Sequence, residues 1–231
     1  MVDDELFYLK KGEGSEVVIL LHGLFGSAKN LNAIASALAD RYTVYAIDLP
    51  NHGQSAHVKE MTLNSMIQAI IAFADHHQLE HFAVFGHSLG GKVAMALALA
   101  YPARVSAVAV GDIAPVTYPD KHAKILRALE FASEQKIESR QQADQRLAER
   151  IDEQGIRQFL LHSLRRDGDA YQWRFNLAQI ARSYPELCAF LEPGSSRYHG
   201  PVLFLRGEKS NYIIESNQTA IDQFFPDNDV R

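Results

Sequence analysis

One stretch, Gly86-His87-Ser88-Leu89-Gly90, constrains this chain more than any other. Phe82 to Phe85 precedes it, an apolar run with a β-branched Val84, which reads as a strand buried on both faces. The Ala- and Leu-rich run Lys92 to Ala100 follows and reads as a helix. A serine flanked two residues away by glycines, between strand and helix, fits the G-x-S-x-G turn. Holding a serine at so tight an apex strains its backbone. Glycines at both flanks remove Cβ atoms that would strike the adjacent strand and helix. The serine oxygen then stands exposed at the C-terminal edge of a parallel sheet, facing the positive end of the following helix.

With 231 residues, the chain is long enough for one large α/β domain. A net charge of −5 favours neither nucleic acid nor an anionic membrane as partner. Cys188 is the only cysteine, so no intrachain disulfide forms, and Leu187-Cys188-Ala189-Phe190 reads as a core setting. The acidic start, Met1-Val2-Asp3-Asp4-Glu5, leads into no long apolar run and does not read as a signal peptide. No segment is long enough to span a membrane, and the expected location is the cytoplasm. No cofactor is called for. His76, His77 and His81 cluster without a carboxylate or thiol at ligand spacing, so they read as a solvated helix end and not as a metal site.

In chain order, Leu6 to Lys10 alternates weakly, as an edge strand does, and Val17 to Leu21 is a buried strand. It runs into His22-Gly23-Leu24-Phe25-Gly26-Ser27. Asn30 is placed to cap a helix through Ala39, and Tyr42 to Ile47 reads as the next strand, ending in Asp48-Leu49-Pro50-Asn51-His52-Gly53-Gln54-Ser55. Thr62 caps an amphipathic helix with Leu63, Met66, Ile67, Ile70, Ile71 and Ala74 on one stripe. Val105 to Val110 is a strand that delivers Asp112 to the edge where an open parallel sheet gathers its chemistry. There it is placed to reach a histidine facing Ser88.

From about Tyr118 to Arg197, dense charge and helical spacing replace the short apolar runs. This predicts a helical cap over 118–197, inserted between core segments 1–117 and 198–231 and lacking a sheet of its own. Pro193-Gly194 and Ser195-Ser196 mark the return to the core, where Pro201 to Leu205 reads as a strand and Ile213 to Phe225 as a helix.

Leu-His-Gly-Leu-Phe-Gly-Ser at 21–27, the Asp48–Ser55 loop, Gly-His-Ser-Leu-Gly-Gly at 86–91 and Gly-Asp-Ile-Ala-Pro-Val at 111–116 together resemble the α/β-hydrolase superfamily. More closely, they are similar to its small bacterial YbfF-type esterases, as is the cap segment Tyr171 to Leu177. The resemblance implies a mostly parallel, doubly wound sheet with an inserted cap. It also implies hydrolysis of small acyl esters, and of acyl-coenzyme A thioesters as a further class. It gives Ser88 as nucleophile, the backbone N–H groups of Leu24 and Leu89 as oxyanion donors, and Asp112 as the acid of a catalytic triad. Asp48 precedes the serine and so falls in the wrong order for that acid, and His22 is expected to brace its loop. Phe25, Trp173 and Phe175 are candidates for the substrate pocket.

The family takes its catalytic histidine from a loop after one further strand. His122 and His162 lie in the cap, His199 precedes a strand, and His52 sits on a loop the family uses structurally. The base is therefore expected outside these 231 residues. The further strand is expected beyond Arg231, leaving Val202 to Leu205 as an unpaired apolar edge. Two other readings stay open: a lyase or C–C hydrolase on the same scaffold, and a ligand-binding relative without a base.

Overall fold

The structure, a computed structural model, describes residues 6–190 and 196–231. A seven-stranded sheet forms its centre, built from β1 (Tyr8–Lys11), β2 (Val17–Leu21), β3 (Thr43–Ile47), β4 (Phe82–His87), β5 (Val105–Gly111), β8 (Val202–Leu205) and β9 (Asn228–Val230). Their order is β1-β3-β2-β4-β5-β8-β9, and only β1 runs antiparallel to its neighbour. The fold is the α/β-hydrolase architecture that the sequence predicts.

Register explains why these strands read as unbroken apolar runs. β2 pairs with β3 through Val18↔Val44 and Leu20↔Ala46, which pack with Ala28, Leu31 and Ala35 on one face. Ile19, Leu21, Tyr45 and Ile47 turn to the other face, where the larger core lies. A strand covered on both sides has no polar alternation to show. Helices α1 (Asn32–Leu38), α2 (Leu63–His76), α3 (Leu89–Ala100) and α8 (Gln218–Phe224) flank the sheet. Thr62 caps α2 by accepting the N–H of Ser65 at 3.0 Å, as expected. Asn30 does not cap α1. It sits inside a short 3-10 turn, where its Oδ1 accepts the N–H of Ser27 at 2.7 Å.

The edge at β8 differs from expectation. The further strand begins within the chain: Val202, Leu203 and Phe204 pair in parallel with Asn228, Asp229 and Val230. The ladder continues as Arg231 N–H donates to Phe204 O at 2.9 Å and Arg206 N–H to Arg231 O at 2.7 Å. Two of these three strand residues are polar, so no apolar run announces them.

The cap carries α4 (Ala123–Ser133), α5 (Arg140–Ala148), α6 (Gln154–His162) and α7 (Leu177–Cys188). It also holds a small sheet of its own, contrary to the all-helical expectation. β6 (Leu164–Asp167) and β7 (Ala170–Trp173) form an antiparallel hairpin. Gly168 supplies the positive φ of +57° that its two-residue turn needs. The acidic start at 1–5 and the expected return through Pro193-Gly194 and Ser195 lie outside the described residues.

Candidate active site

Ser88 sits between the last residue of β4 and the first of α3 with φ +52° and ψ −115°, outside the conformations L-residues favour. Close packing enforces this turn. A Cβ on Gly86 would overlap the carbonyl of Gly90, and one on Gly90 would overlap the carbonyl of Leu21. The N–H of Gly90 donates to His22 O at 3.1 Å and that of Ser88 to Gly111 O at 2.9 Å. Both neighbouring strands thus grip the turn.

Beside it, Gly23-Leu24-Phe25-Gly26 forms a tight turn closed by Gly26 N–H to Gly23 O at 3.0 Å. Phe25 occupies its third position at φ +63°, where glycine is usual. A Cβ on Gly23 would lie 3.3 Å from that of Ser88, so the turn passes directly over the serine. Among the described residues, the N–H groups of Leu24 and Leu89 have no protein acceptor in the turn and cap bonds. For Leu89 this follows from its place at the first position of α3.

Two buried imidazoles brace this region. His22 Nε2 accepts the N–H of Leu49 at 2.9 Å and Nδ1 faces Gly23 O at 2.8 Å. His52 Nε2 accepts the N–H of Phe25 at 3.2 Å and Nδ1 faces Pro50 O at 3.0 Å. Each ring therefore takes the Nδ1–H tautomer, a hydrogen placement inferred from its partners. Burial pushes His22 down to about 4 and His52 to about 3, so both are neutral. Asp48 is a brace too. Its carboxylate accepts the N–H of Ala28 at 2.6 Å and that of Gln54 at 2.8 Å, and burial raises its pKa.

Asp112 follows β5 with φ +56°, held by its N–H to Leu205 O at 2.8 Å. Its Oδ1 accepts the N–H of Gly207 at 3.3 Å. Among the described residues, no hydrogen bond joins a histidine to Ser88 or Asp112. The ring of His87 lies against Gly23 and Gly111. Burial of that ring lowers its pKa, and the charge of Asp112 opposes the shift. His199 instead lies 3.7 Å from Asp227.

Ser88 and Leu89 open into a small cavity of about 40 Å³, shared with Lys92, Tyr118, His122 and Tyr212. Leu24 and Phe25 line an adjoining apolar groove with Ile125, Ile156, Phe159 and Leu160, and His122 borders both spaces. The Nδ1 of His122 is taken by the hydroxyl of Tyr184 at 2.8 Å. A serine hydroxyl at a strained apex, two unpaired amides and a carboxylate at one sheet edge can support acyl transfer.

A family model described as the alpha/beta hydrolase fold matches residues 16–176. The chain belongs to the α/β-hydrolase family. It is 37% identical over 217 residues to the mouse (Mus musculus) sn-1-specific diacylglycerol lipase ABHD11, covering 90% of this chain and 70% of that protein. It is 33% identical over 210 residues to the Escherichia coli esterase YbfF, covering 90% of this chain and 80% of that protein. Among solved structures it resembles a marine microorganism esterase with a TM-score of 0.93 and 36% identity, covering 98% of this chain and 89% of that one. No described helix of this hydrolase-family member is long and apolar enough to cross a membrane.

The structure gathers Ser88, Leu89, Leu24, Phe25 and Asp112 of this family member at one edge of the sheet. It places two other candidates elsewhere. Trp173 stacks on Phe175 at 5.5 Å, and both line a separate groove on the cap. Phe175 is buried, with its ring 5.1 Å from that of Phe25, so it supports the turn from behind. Sequence reasoning passed over Lys92, Tyr118 and Tyr212. Tyr118 donates its hydroxyl to Tyr212 O and accepts the N–H of Ala114 at 2.9 Å. Lys92 had a visible signal, a lone charge in an otherwise apolar helix. The two tyrosines had none, being 94 residues apart in the chain.

Proposed function

We propose that this protein is a serine hydrolase of carboxylic esters, acting through an acyl-enzyme on Ser88. Ser88 Oγ attacks the acyl carbon, and the amides of Leu24 and Leu89 receive the developing oxyanion. The serine proton passes to a histidine and on to the departing alcohol. Water then repeats the sequence and frees the acid. Asp112 orients that histidine. The observation that carries the proposal is the strained Ser88 turn with the Gly23–Gly26 turn lying over it. Similarity to proteins named esterase and diacylglycerol lipase supports the ester class. Acyl-coenzyme A thioesters present the same acyl carbon and form a second substrate class.

Labelling the protein with a fluorophosphonate tests the assignment. Wild type should label and Ser88→Ala should not; equal labelling of both would remove Ser88 from its role. A panel of p-nitrophenyl esters and acyl-coenzyme A thioesters then separates the two substrate classes.

A further inference from the structure

The turn over Ser88 is held from two sides, and one of them is the cap. Phe25 carries the strain of this turn. Its N–H is bound by His52 of the core at 3.2 Å. Its carbonyl accepts the hydroxyl of Ser163 at 2.7 Å, a cap residue 138 positions away in the chain. Ser163 is only 6% exposed, and its position is fixed independently. It ends α6, with its N–H on Leu160 O at 3.0 Å. It also opens the cap hairpin, with its carbonyl accepting Arg174 N–H at 2.7 Å. A second seam joins the same parts. Asn176 of the cap donates its backbone N–H to Asn51 O at 2.8 Å and its Nδ2 to Asn51 Oδ1 at 3.1 Å, one residue before His52.

We infer that Ser163 is a positioning residue for the oxyanion turn: its hydroxyl holds the Phe25 carbonyl, and so, through the Gly26 N–H to Gly23 O bond that closes the turn, aims the Leu24 N–H at the oxyanion site. This rests on the ester-hydrolase reading above. The physical reason is the cost of the turn. A non-glycine residue at positive φ is strained and persists only where its surroundings hold it. Loss of the Ser163 hydroxyl leaves a buried carbonyl without a partner. The cheapest relief is rotation of the Phe25–Gly26 peptide, whose N–H closes the turn on Gly23 O at 3.0 Å, and Gly23 O shares its peptide with the Leu24 N–H. The ground state, which makes little use of that N–H, is untouched. The effect therefore falls on kcat and not on KM.

The test is Ser163→Ala, with Ser163→Thr as the variant that restores the hydroxyl. Ser139→Ala serves as a matched cap lesion. Ser139 caps α5 by accepting the N–H of Gln142 at 3.1 Å, and none of its hydrogen bonds involves the oxyanion turn. For p-nitrophenyl ester turnover, Ser163→Ala should lose about tenfold in kcat with KM within twofold. That is a fraction of the roughly 10²–10³ lost when a whole donor is deleted. Ser163→Thr should recover most of it, and Ser139→Ala should lose nothing. Unchanged kcat in Ser163→Ala, or an equal loss in Ser139→Ala, overturns the inference. Amide hydrogen exchange gives a readout without turnover. Ser163→Ala should speed exchange at 24–26 about tenfold and leave 90–100 unchanged. If wild type shows no Ser88-dependent turnover, the ester-hydrolase reading fails, and exchange alone then decides whether Ser163 holds the turn. Unaltered exchange at 24–26 would mean that it does not.

Discussion

The ammonium of Lys92 lies 2.6 Å from the carbonyl oxygen of Cys188, joining helix α3, which follows Ser88, to the end of cap helix α7. It also donates to Leu187 O and Ala189 O, each at 2.9 Å. Three N–H donors meet three carbonyls at the negative end of a helix. Burial pushes its pKa down to about 8, which leaves it protonated at neutral pH. Lys92→Met should cost about 3 kcal/mol, since three buried carbonyls lose a charged donor at once. Urea denaturation at pH 7 measures this. A loss below about 1 kcal/mol would show that water replaces the lysine.

The buried imidazoles make stability fall in acid. His22 and His52 are neutral when folded, titrating at about 4 and about 3 against 6.5 for a free imidazole side chain. Between 6.5 and those values the unfolded chain binds protons that the folded chain refuses, so stability drops as pH falls through this window. Each histidine contributes a slope of up to about 1.4 kcal/mol per pH unit. His52→Gln should start less stable and lose stability less steeply from pH 6.5 to 4. Parallel curves for wild type and variant would contradict the neutral assignment.

Asp112→Asn isolates the role of the carboxylate. Asparagine accepts the left-handed backbone at this position, so the turn should keep its shape. If Asp112 orients the base, kcat should fall by about 10⁴, as when the acid of a serine triad is neutralised. The thermal midpoint should change little. A loss under tenfold would assign Asp112 to structure alone.

Two glycines should respond in opposite directions. Gly90→Ala would drive a methyl into the Leu21 carbonyl, and the soluble folded yield should collapse. Gly155, the second residue of α6, meets nothing within 4 Å. Gly155→Ala should raise stability by about 0.5 kcal/mol through helix propensity. Calorimetry on both variants checks the pair.

What the sequence disclosed was local. Gly86, Ser88 and Gly90 constrain one another within five residues, and His22-Gly23 follows directly on an apolar strand. What it concealed depended on distant partners. Asn228 to Val230 pairs because β8 offers an edge, and its composition carries no sign of that. The β6–β7 hairpin hid behind the charges of Arg165, Arg166 and Asp167, although Gly168-Asp169 was a legible turn. Trp173 and Phe175 line a groove on the cap apart from the Ser88 pocket, and because aromatics serve both pockets and packing, only their placement tells the two apart.

The two seams of the cap have a bearing on traffic. Ser163 and Asn176 fasten it to the loops on one side of Ser88, and Lys92 fastens the end of α7 on the other. A cover riveted along both margins does not lift like a hinged flap. A ligand then reaches Ser88 through openings of fixed width: the pocket that Lys92, Tyr118 and Tyr212 border, and the groove lined by Ile156 and Phe159. The width of those portals, set by side chains and not by domain motion, becomes the gauge that sorts one ester from another.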